Sequence, residues 1–524
     1  MTTGNTTTSS LSSILMRGLN KYAYTPSSEV SSKVTRDSIT SSSSKDVAIF
    51  NSTELSISNS VIYIPNLSHY FVPPTSNENI ISTGHTDVSS TMNTTHLPLL
   101  LNGFNHIKIP NKTEVAIRRH VGIRNLKRIN EDPEVALELC LVFLSNLTDT
   151  HFRIMGINHA NNDYNAQGWK NLSSKILRSQ FNGRMTYKKI VDVLLENSSK
   201  GAIIECDYID RFGEKCYGYR LGDSYRSKGV TSYEIKTEYV RNMQYTKLNR
   251  GLKELSTNSI CSGLLETYPL IDIPSHKEVY DYGVQLSKSG YMTKKGKKLT
   301  LMNKNGRNYW KNKHERSYIE DNMDIFSYLT DAGILIPSIG GDKSGGRVVD
   351  SFTLMPSWQR SMLKIEGEKT VNVDYSCLHP NLSISLYGGK KQFITHDYVS
   401  TFSGIDKSMV KIEHLSFFNK KYEEMVTSPL WNYYFQNEAD MLASIVEEKA
   451  IGVYGHKETS RNLFSKEVEI MSDVFSVSKA KGIPLGYVYD AVFCKESDAQ
   501  EVKKIMDIVA MENGVYTQSK IEWE

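Results

Sequence analysis

Two stretches decide how this sequence of 524 residues is read: residues 371–387, VNVDYSCLHPNLSISLY, and residues 483–494, IPLGYVYDAVFC. The first opens with an apolar, β-prone run that ends in Asp374, passes through a turn of small residues, and continues with Leu378, Leu382 and Leu386 at helical spacing. An aspartate at the end of a strand can project its carboxylate into a cleft. The second stretch has two strand-like halves with Tyr489 and Asp490 at the bend, which is how a hairpin presents an acid at its tip. The residues that follow, 498–514 (DAQEVKKIMDIVAMENG), have the period of an amphipathic helix. Two aspartates borne on a strand and a hairpin, far apart in sequence, are what a two-metal phosphoryl-transfer site requires. Hard oxygen ligands hold the cations, one of which lowers the pKa of an attacking 3′-hydroxyl while the other neutralises the leaving pyrophosphate.

On these residues the sequence resembles the family A DNA polymerases and the related single-subunit phage RNA polymerases. Asp374-Tyr375-Ser376 followed by a helix is similar to their motif A, and Tyr489-Asp490-Ala491-Val492 followed by an acidic turn and a long helix is similar to their motif C. The resemblance covers about residues 345–515. It implies an α+β palm-type core with an antiparallel sheet and a helical fingers insertion, and two Mg²⁺ ions, or Mn²⁺ in their place, held by Asp374 and Asp490. For motif B it points to Asp406-Lys407-Ser408-Met409-Val410-Lys411, where Asp406 is an N-cap and Lys407 and Lys411 share a helical face. Lys407 and Lys411 would then balance the triphosphate, with Tyr375, His379 and Phe418 as further substrate contacts. Gly345-Gly346-Arg347 ahead of a β-prone VVDSFTLMP is similar to the family's segment that meets primer and template, and Arg360 would reach the same phosphates. The helix Leu463–Val474 takes the place of the template-side helix; there Glu467 or Glu469 either orients a metal-bound water or faces solvent, and solvent is the favoured expectation. The sequence departs from the pattern at three places. His379 stands where the DNA polymerases carry a glutamate that excludes the ribose 2′-hydroxyl, Tyr489 where histidine is usual, and Ala491 where glutamate or serine is usual. Deoxy or ribo selection is therefore not inherited from the resemblance.

Farther out, residues 288–316 hold ten Lys or Arg against one acid, Glu315, so the mild net charge of +4 conceals a local concentration. Tyr291, Tyr309 and Trp310 are interleaved with Lys294, Lys295, Lys297, Lys298, Arg307 and Lys311. Clustered cations neutralise phosphates and flat rings stack on bases, so this composition suits a strand-binding surface. From Asp132 to about Arg226 the pattern is globular, opening with the helix PEVALELCLVFLSNL, whose apolar residues recur on one face. Then come helices at Ser173–Phe181 and, after Thr186 as N-cap, Tyr187–Leu195. Two β-rich runs follow, at Ala202–Tyr208 and Tyr217–Leu221, around a turn at Arg211-Phe212-Gly213-Glu214. This order resembles the winged modules of plasmid and phage replication proteins, whose helix enters a DNA groove. Residues 1–60 contain 26 Ser or Thr and few large apolar side chains, so the stretch to about 95 reads as a largely disordered tail with one short β piece at Ser60–Pro65.

Length alone favours several domains. They are expected at 1–95 (tail), 96–235 (winged-helix-like module), 236–344 (basic connector and thumb) and 345–524 (palm and fingers). Six scattered cysteines without CxxC pairing favour a reducing cytoplasm, a host's if the chain is phage-encoded. No apolar run approaches ~18 residues, so no membrane partner is expected. Gly340-Gly341-Asp342-Lys343-Ser344 has an acid where a P-loop needs glycine, and no HExxH, GxSxG or dinucleotide fingerprint is present. The sequence thus favours a template-directed nucleotidyltransferase of a phage or mobile element, with DNA and nucleoside triphosphates as partners. A catalytically silent replication initiator on the same scaffold is the alternative. A metal-dependent nuclease ranks last, because residues 371–394 offer Asp374 as their sole acid.

Overall fold

A computed structural model of the protein describes residues 105–148, 168–196, 201–208, 216–226, 229–293, 296–302, 315–331, 333–391 and 393–522. All of them belong to one unit, Ser89–Glu524. The Ser/Thr-rich tail with its expected β piece, the turn at 211–214, and Lys294, Lys295, Arg307, Trp310 and Lys311 lie outside the described residues.

Strand β1 (His106–Pro110) comes first, and helix α1 (Pro133–Ser145) follows it. Asp132 caps α1 by accepting the Glu134 N–H at 2.9 Å, and Pro133 takes the first helical position, where its missing N–H costs nothing. The sequence suggests one apolar face, but every residue from Val135 to Leu144 is buried, because α1 is the centre of a core drawn from residues 109–240. Around it lie β2 (Lys170–Ser173), α2 (Ser174–Gln180), α3 (Arg184–Leu195), β3 (Ile204–Cys206) and β4 (Cys216–Leu221). The three strands form an antiparallel sheet in the order β2-β4-β3. Helix α3 begins ahead of the expected Thr186 cap, because Gly183, at φ +147°, breaks the chain there. Strand β5 (Val230–Glu234) returns along β1 and leads into α4 (Glu238–Leu255). The buried Glu138 of α1 receives the backbone N–H groups of Lys236 at 2.6 Å and Thr237 at 3.0 Å, just ahead of α4, and so ties the two helices.

Helix α5 (Ser259–Thr267), the two-residue β6 (Ile271–Asp272) and α6 (His276–Ser289) follow. Strands β7 (Lys298–Thr300) and β8 (Arg316–Tyr318) run parallel and feed α7 (Ile319–Thr330). Strands β9 (Ser338–Ile339) and β10 (Val348–Val349) form a small antiparallel pair. The β-prone reading of VVDSFTLMP ends at β10. Asp350 accepts the Thr353 N–H at 2.7 Å and turns Ser351–Leu354 into a short helix.

The central sheet is built from β6, β11 (Lys364–Ile365), β12 (Glu368–Ser376), β13 (Gly486–Val488), β14 (Ala491–Lys495) and β15 (Gln518–Glu522). Its order is β13-β14-β12-β11-β6, β15 also pairs with β12, and every pair is antiparallel. Between β12 and β13 lie α8 (Leu378–Tyr387), then α9 (His396–Ser403), α10 (Lys407–His414), α11 (Trp431–Asn437) and α12 (Ala439–Ile451), and the long α13 (Glu458–Ala480). Helix α14 (Ala499–Glu512) joins β14 to β15. Along β12, Val371, Val373 and Tyr375 are buried while Asn372, Asp374 and Ser376 are half-buried, the alternation of a sheet covered on one face. Tyr375 reaches α14, its hydroxyl donating to the Met506 carbonyl at 2.6 Å. Among the described residues no helix is long and apolar enough to cross a membrane.

Gly486 of β13 lies opposite Phe493 of β14, and a Cβ built there would stand 1.9 Å from the Phe493 ring. That ring is itself held edge-on by Phe352, with centroids 6.0 Å apart. We expect Gly486→Ala to overpack the hairpin and cost about 1–3 kcal/mol in urea unfolding. An unchanged midpoint would show that the ring yields freely.

Candidate active site

The register of β12 on β14 sets Asp374 opposite Ala491, the residue after Asp490. The ladder then continues past the strand end, where the Tyr375 N–H donates to the Asp490 carbonyl at 3.2 Å. The two aspartates are therefore carried on neighbouring strands at one end of the sheet. Tyr489 makes this geometry by adopting φ +60°, which costs about 1–2 kcal/mol for a non-glycine residue and turns the hairpin at its tip.

On the other edge of β12, Asp374 pairs with Lys520 of β15. Burial alone would lower the Lys520 amino group. Glu522, 2.8 Å away, raises it, as do Asp374 and Asp490 together, and the net position is above the ordinary value. Lys520 thus feels both carboxylates, which places them in one electrostatic space. Asp490 is held above the usual carboxylate range, first by burial and then by the negative charge of Glu467, while His379 and Arg347 oppose the shift.

Glu467 on α13 is the residue that organises this corner. It is fully buried and accepts Arg347 Nε at 2.8 Å, a second bond from Arg347 Nη2, and His379 Nε2 at 2.8 Å. Burial pushes its carboxyl up, but the bonds and charges of His379 and Arg347 outweigh burial and hold it below its ordinary value. Arg347 also lies 3.7 Å above the Phe464 ring and 4.9 Å from the Tyr489 ring, so it braces the hairpin tip as well. Gly345 permits this approach, since a Cβ there would come within 2.5 Å of Phe464 and the Ser465 backbone. The expectation that Glu467 faces solvent is wrong, whereas Glu469 is exposed and pairs with Lys466 at 2.8 Å. The signal was present in the sequence. Glu467 lies four residues after Leu463 and four before Met471, on the buried stripe of α13.

Of the other site residues expected from sequence, several lie elsewhere. Arg360 does not reach out to phosphates. It is buried, and its Nη1 donates to the Phe352 and Met355 carbonyls at 3.1 and 3.0 Å, closing the end of the preceding short helix. Phe418 is not open to a substrate, being sealed in an aromatic cluster with Phe417 and Tyr434. Tyr375 faces the core and is not open to a substrate. Lys407 and Lys411 are both exposed on α10, with Lys407 paired to Asp397 at 2.7 Å. His396, at the start of α9, feels the charges of Lys411, Lys407 and Lys520, so the lysines of α10 and of the sheet border the same region. Lys297 is half-buried and Lys298 exposed at the start of β7.

One solved structure to which part of the chain is similar is the POL domain of Pol1 from M. smegmatis, in complex with DNA primer-template and dNTP. The TM-score is 0.35 at 10% identity, over 55% of this chain and 73% of that one. No family model matches the sequence, and no curated protein matches it.

Because Glu467 sits below its ordinary value, its contribution to stability is complete above about pH 4.5 and is lost as the pH falls through its depressed value. Glu467→Gln is expected to cost about 3 kcal/mol at pH 7, since it leaves Arg347 without its partner. The gap to the parent should narrow below pH 4.5 in urea titrations at stepped pH. A gap that stays unchanged below pH 4.5 as well would mean the ionised carboxylate is not its source.

Proposed function

We propose that this protein is a template-directed nucleotidyltransferase, a DNA polymerase-like replication protein of a phage or mobile element that extends a primer from nucleoside triphosphates. The observation that carries the reading is the β12–β14 register, which brings Asp374 and Asp490 to one sheet end within the common field of Lys520. The half-buried Asp490 carboxylate, raised by burial and by a neighbouring acid, is in surroundings that suit a divalent cation at this spot. Asp374 and Asp490 are the residues that would hold Mg²⁺. Two such ions supply an activated 3′-hydroxyl and a neutralised pyrophosphate.

The chain's own residues then have distinct tasks. Lys520 offsets part of the negative charge between the aspartates and keeps them from repelling each other. Arg347, Glu467 and His379 fix the hairpin tip, so that Asp490 keeps its position without reorganising as charge develops. Lys407 and Lys411, i and i+4 on α10, present cations to a triphosphate entering between the fingers and the sheet. The exposed ion pair of Lys407 with Asp397 is weak enough to exchange for phosphate.

The module around α1 supports a second part of the proposal, that it is a winged helix grasping duplex DNA. Its order is helix, strand, two helices and then two paired strands, and α3 exposes Lys188 and Lys189. The segment 236–344 would serve as basic connector and thumb, and 345–524 as palm and fingers.

Primer extension with Mg²⁺ and either dNTPs or rNTPs tests the activity. Asp374→Ala or Asp490→Ala should each reduce it by at least about 10³-fold while leaving duplex retention unchanged. A parent inert with both nucleotide sets, or variants as fast as the parent, would overturn the reading. For the module, Lys188→Glu combined with Lys189→Glu should weaken duplex binding in a salt-titrated shift assay and flatten the dependence on log salt by roughly two units. A slope equal to the parent's would place the duplex elsewhere.

A further inference from the structure

Behind the fingers three side chains from three elements converge. Cys377 follows β12 directly and adopts φ +61°, His396 is the first residue of α9, and His414 is the last of α10. Cys377 Sγ lies 3.5 Å from His396 Nδ1, and His396 Nδ1 lies 2.9 Å from His414 Nδ1. All three donor atoms fall within 4.8 Å of one another. Cys377 and His414 are buried and His396 is half-buried.

Hydrogen bonding alone satisfies this group poorly. His396 Nδ1 carries either one proton or one lone pair, yet both the thiol and the second imidazole are directed at it. A tetrahedral cation takes a lone pair from each atom. With metal–nitrogen bonds of about 2.0–2.1 Å and a metal–sulfur bond of about 2.3 Å, it would set nitrogen from nitrogen at about 3.3 Å and sulfur from nitrogen at about 3.6 Å. The two spacings that involve His396 need to relax by only a few tenths of an ångström, and the third, between Cys377 and His414, is within 4.8 Å.

The surroundings are those of a metal-ligating histidine. His414 Nε2 lies 2.8 Å from the Tyr434 hydroxyl, whose oxygen can accept a hydrogen bond from Nε2–H and so leave the Nδ1 lone pair free for a cation. Tyr434 is fully buried and stacked on Phe417, with centroids 5.0 Å apart, and Phe418 packs edge-on against both. This keeps the back of the group dry. One thiolate and two imidazoles suit a borderline-soft ion such as Zn²⁺ and not Mg²⁺, which prefers oxygen.

We propose that Cys377, His396 and His414 bind one Zn²⁺ ion, with solvent as the fourth ligand on the open side of His396, and that the ion fastens α9 and α10 to the end of β12. The thiol proton leaves to solvent as the Zn–S bond forms. This site does not depend on the phosphoryl-transfer reading.

The full chain is purified without chelator and its metal content measured by mass spectrometry, alongside Cys377→Ser, His414→Gln and Tyr434→Phe. The parent should carry one zinc per chain. Cys377→Ser and His414→Gln should lose it, and Tyr434→Phe should keep it with affinity lowered by about 10-fold in competition with a chromogenic chelator. Where a ligand variant does not fold, the parent decides: stripped of zinc and given Co²⁺, it should develop the near-ultraviolet thiolate-to-cobalt absorption. A folded parent that carries no zinc and shows no such absorption with Co²⁺ overturns the proposal, as does zinc retained at full occupancy in both ligand variants.

Discussion

The pairing of β12 with β14 is the constraint on which the rest of this molecule depends. Slipping that register by one residue would move Asp374 into the core and Val373 or Tyr375 out of it. Fully burying such an apolar side chain stabilises the fold by about 1.5–3 kcal/mol, so Val371, Val373 and Tyr375 together hold the register with several kcal/mol. That exceeds the roughly 1–2 kcal/mol of strain at Tyr489. The strained turn persists because the strands on either side of it are fixed by their own packing, and the acid at the tip is delivered to Asp374 as a consequence.

Electrostatics then determine what this corner can hold. Asp374, Asp490 and Glu467 bring three acids together, and Arg347 is committed to Glu467, with His379 beside it. Lys520 faces Asp374 but is shared with Glu522. Asp490 is raised first by burial and then by the negative charge of Glu467, against the pull of His379 and Arg347. A carboxylate perturbed in this way by its surroundings is more common at functional sites than in networks that serve stability alone.

The elements bearing the aspartates were legible in the sequence because their patterns are local. The alternation of VNVDYS, the bend at Tyr489-Asp490 and the period of α14 each need only their own few residues. What could not be read was set by partners distant along the chain. Tyr375 turns inward because its hydroxyl meets Met506, 131 residues away, and Arg360 is drawn in by the carbonyls of a helix that the β-prone reading of 348–356 did not contain. Phe418 looked like a nucleotide contact beside Lys411, and only the fold brings Tyr434 against it. Glu467 is the instructive case. Its helical position was readable, but an acid on an apolar stripe is ordinarily placed in water, and the partners that make burial tolerable, Arg347 and His379, lie 120 and 88 residues upstream.

The same reasoning separates two donor sets at the end of β12. Asp374 and Cys377 are three residues apart, yet Asp374 shares the half-buried face of the strand with Asn372 and Ser376, while Cys377, past the strand end, is turned by its left-handed backbone into the dry space under α9 and α10. The oxygen donors lie on the half-buried face of the sheet, and the sulfur and nitrogen donors lie together under α9 and α10. Were both proposed sites occupied, hard and soft cations would be sorted by those donor sets and not by distance. Both groups also take their geometry from one strand end. Any movement of α9 and α10 that pulled on Cys377 would act on the backbone carrying Asp374, which ties the position of α10 and its two lysines to that strand end.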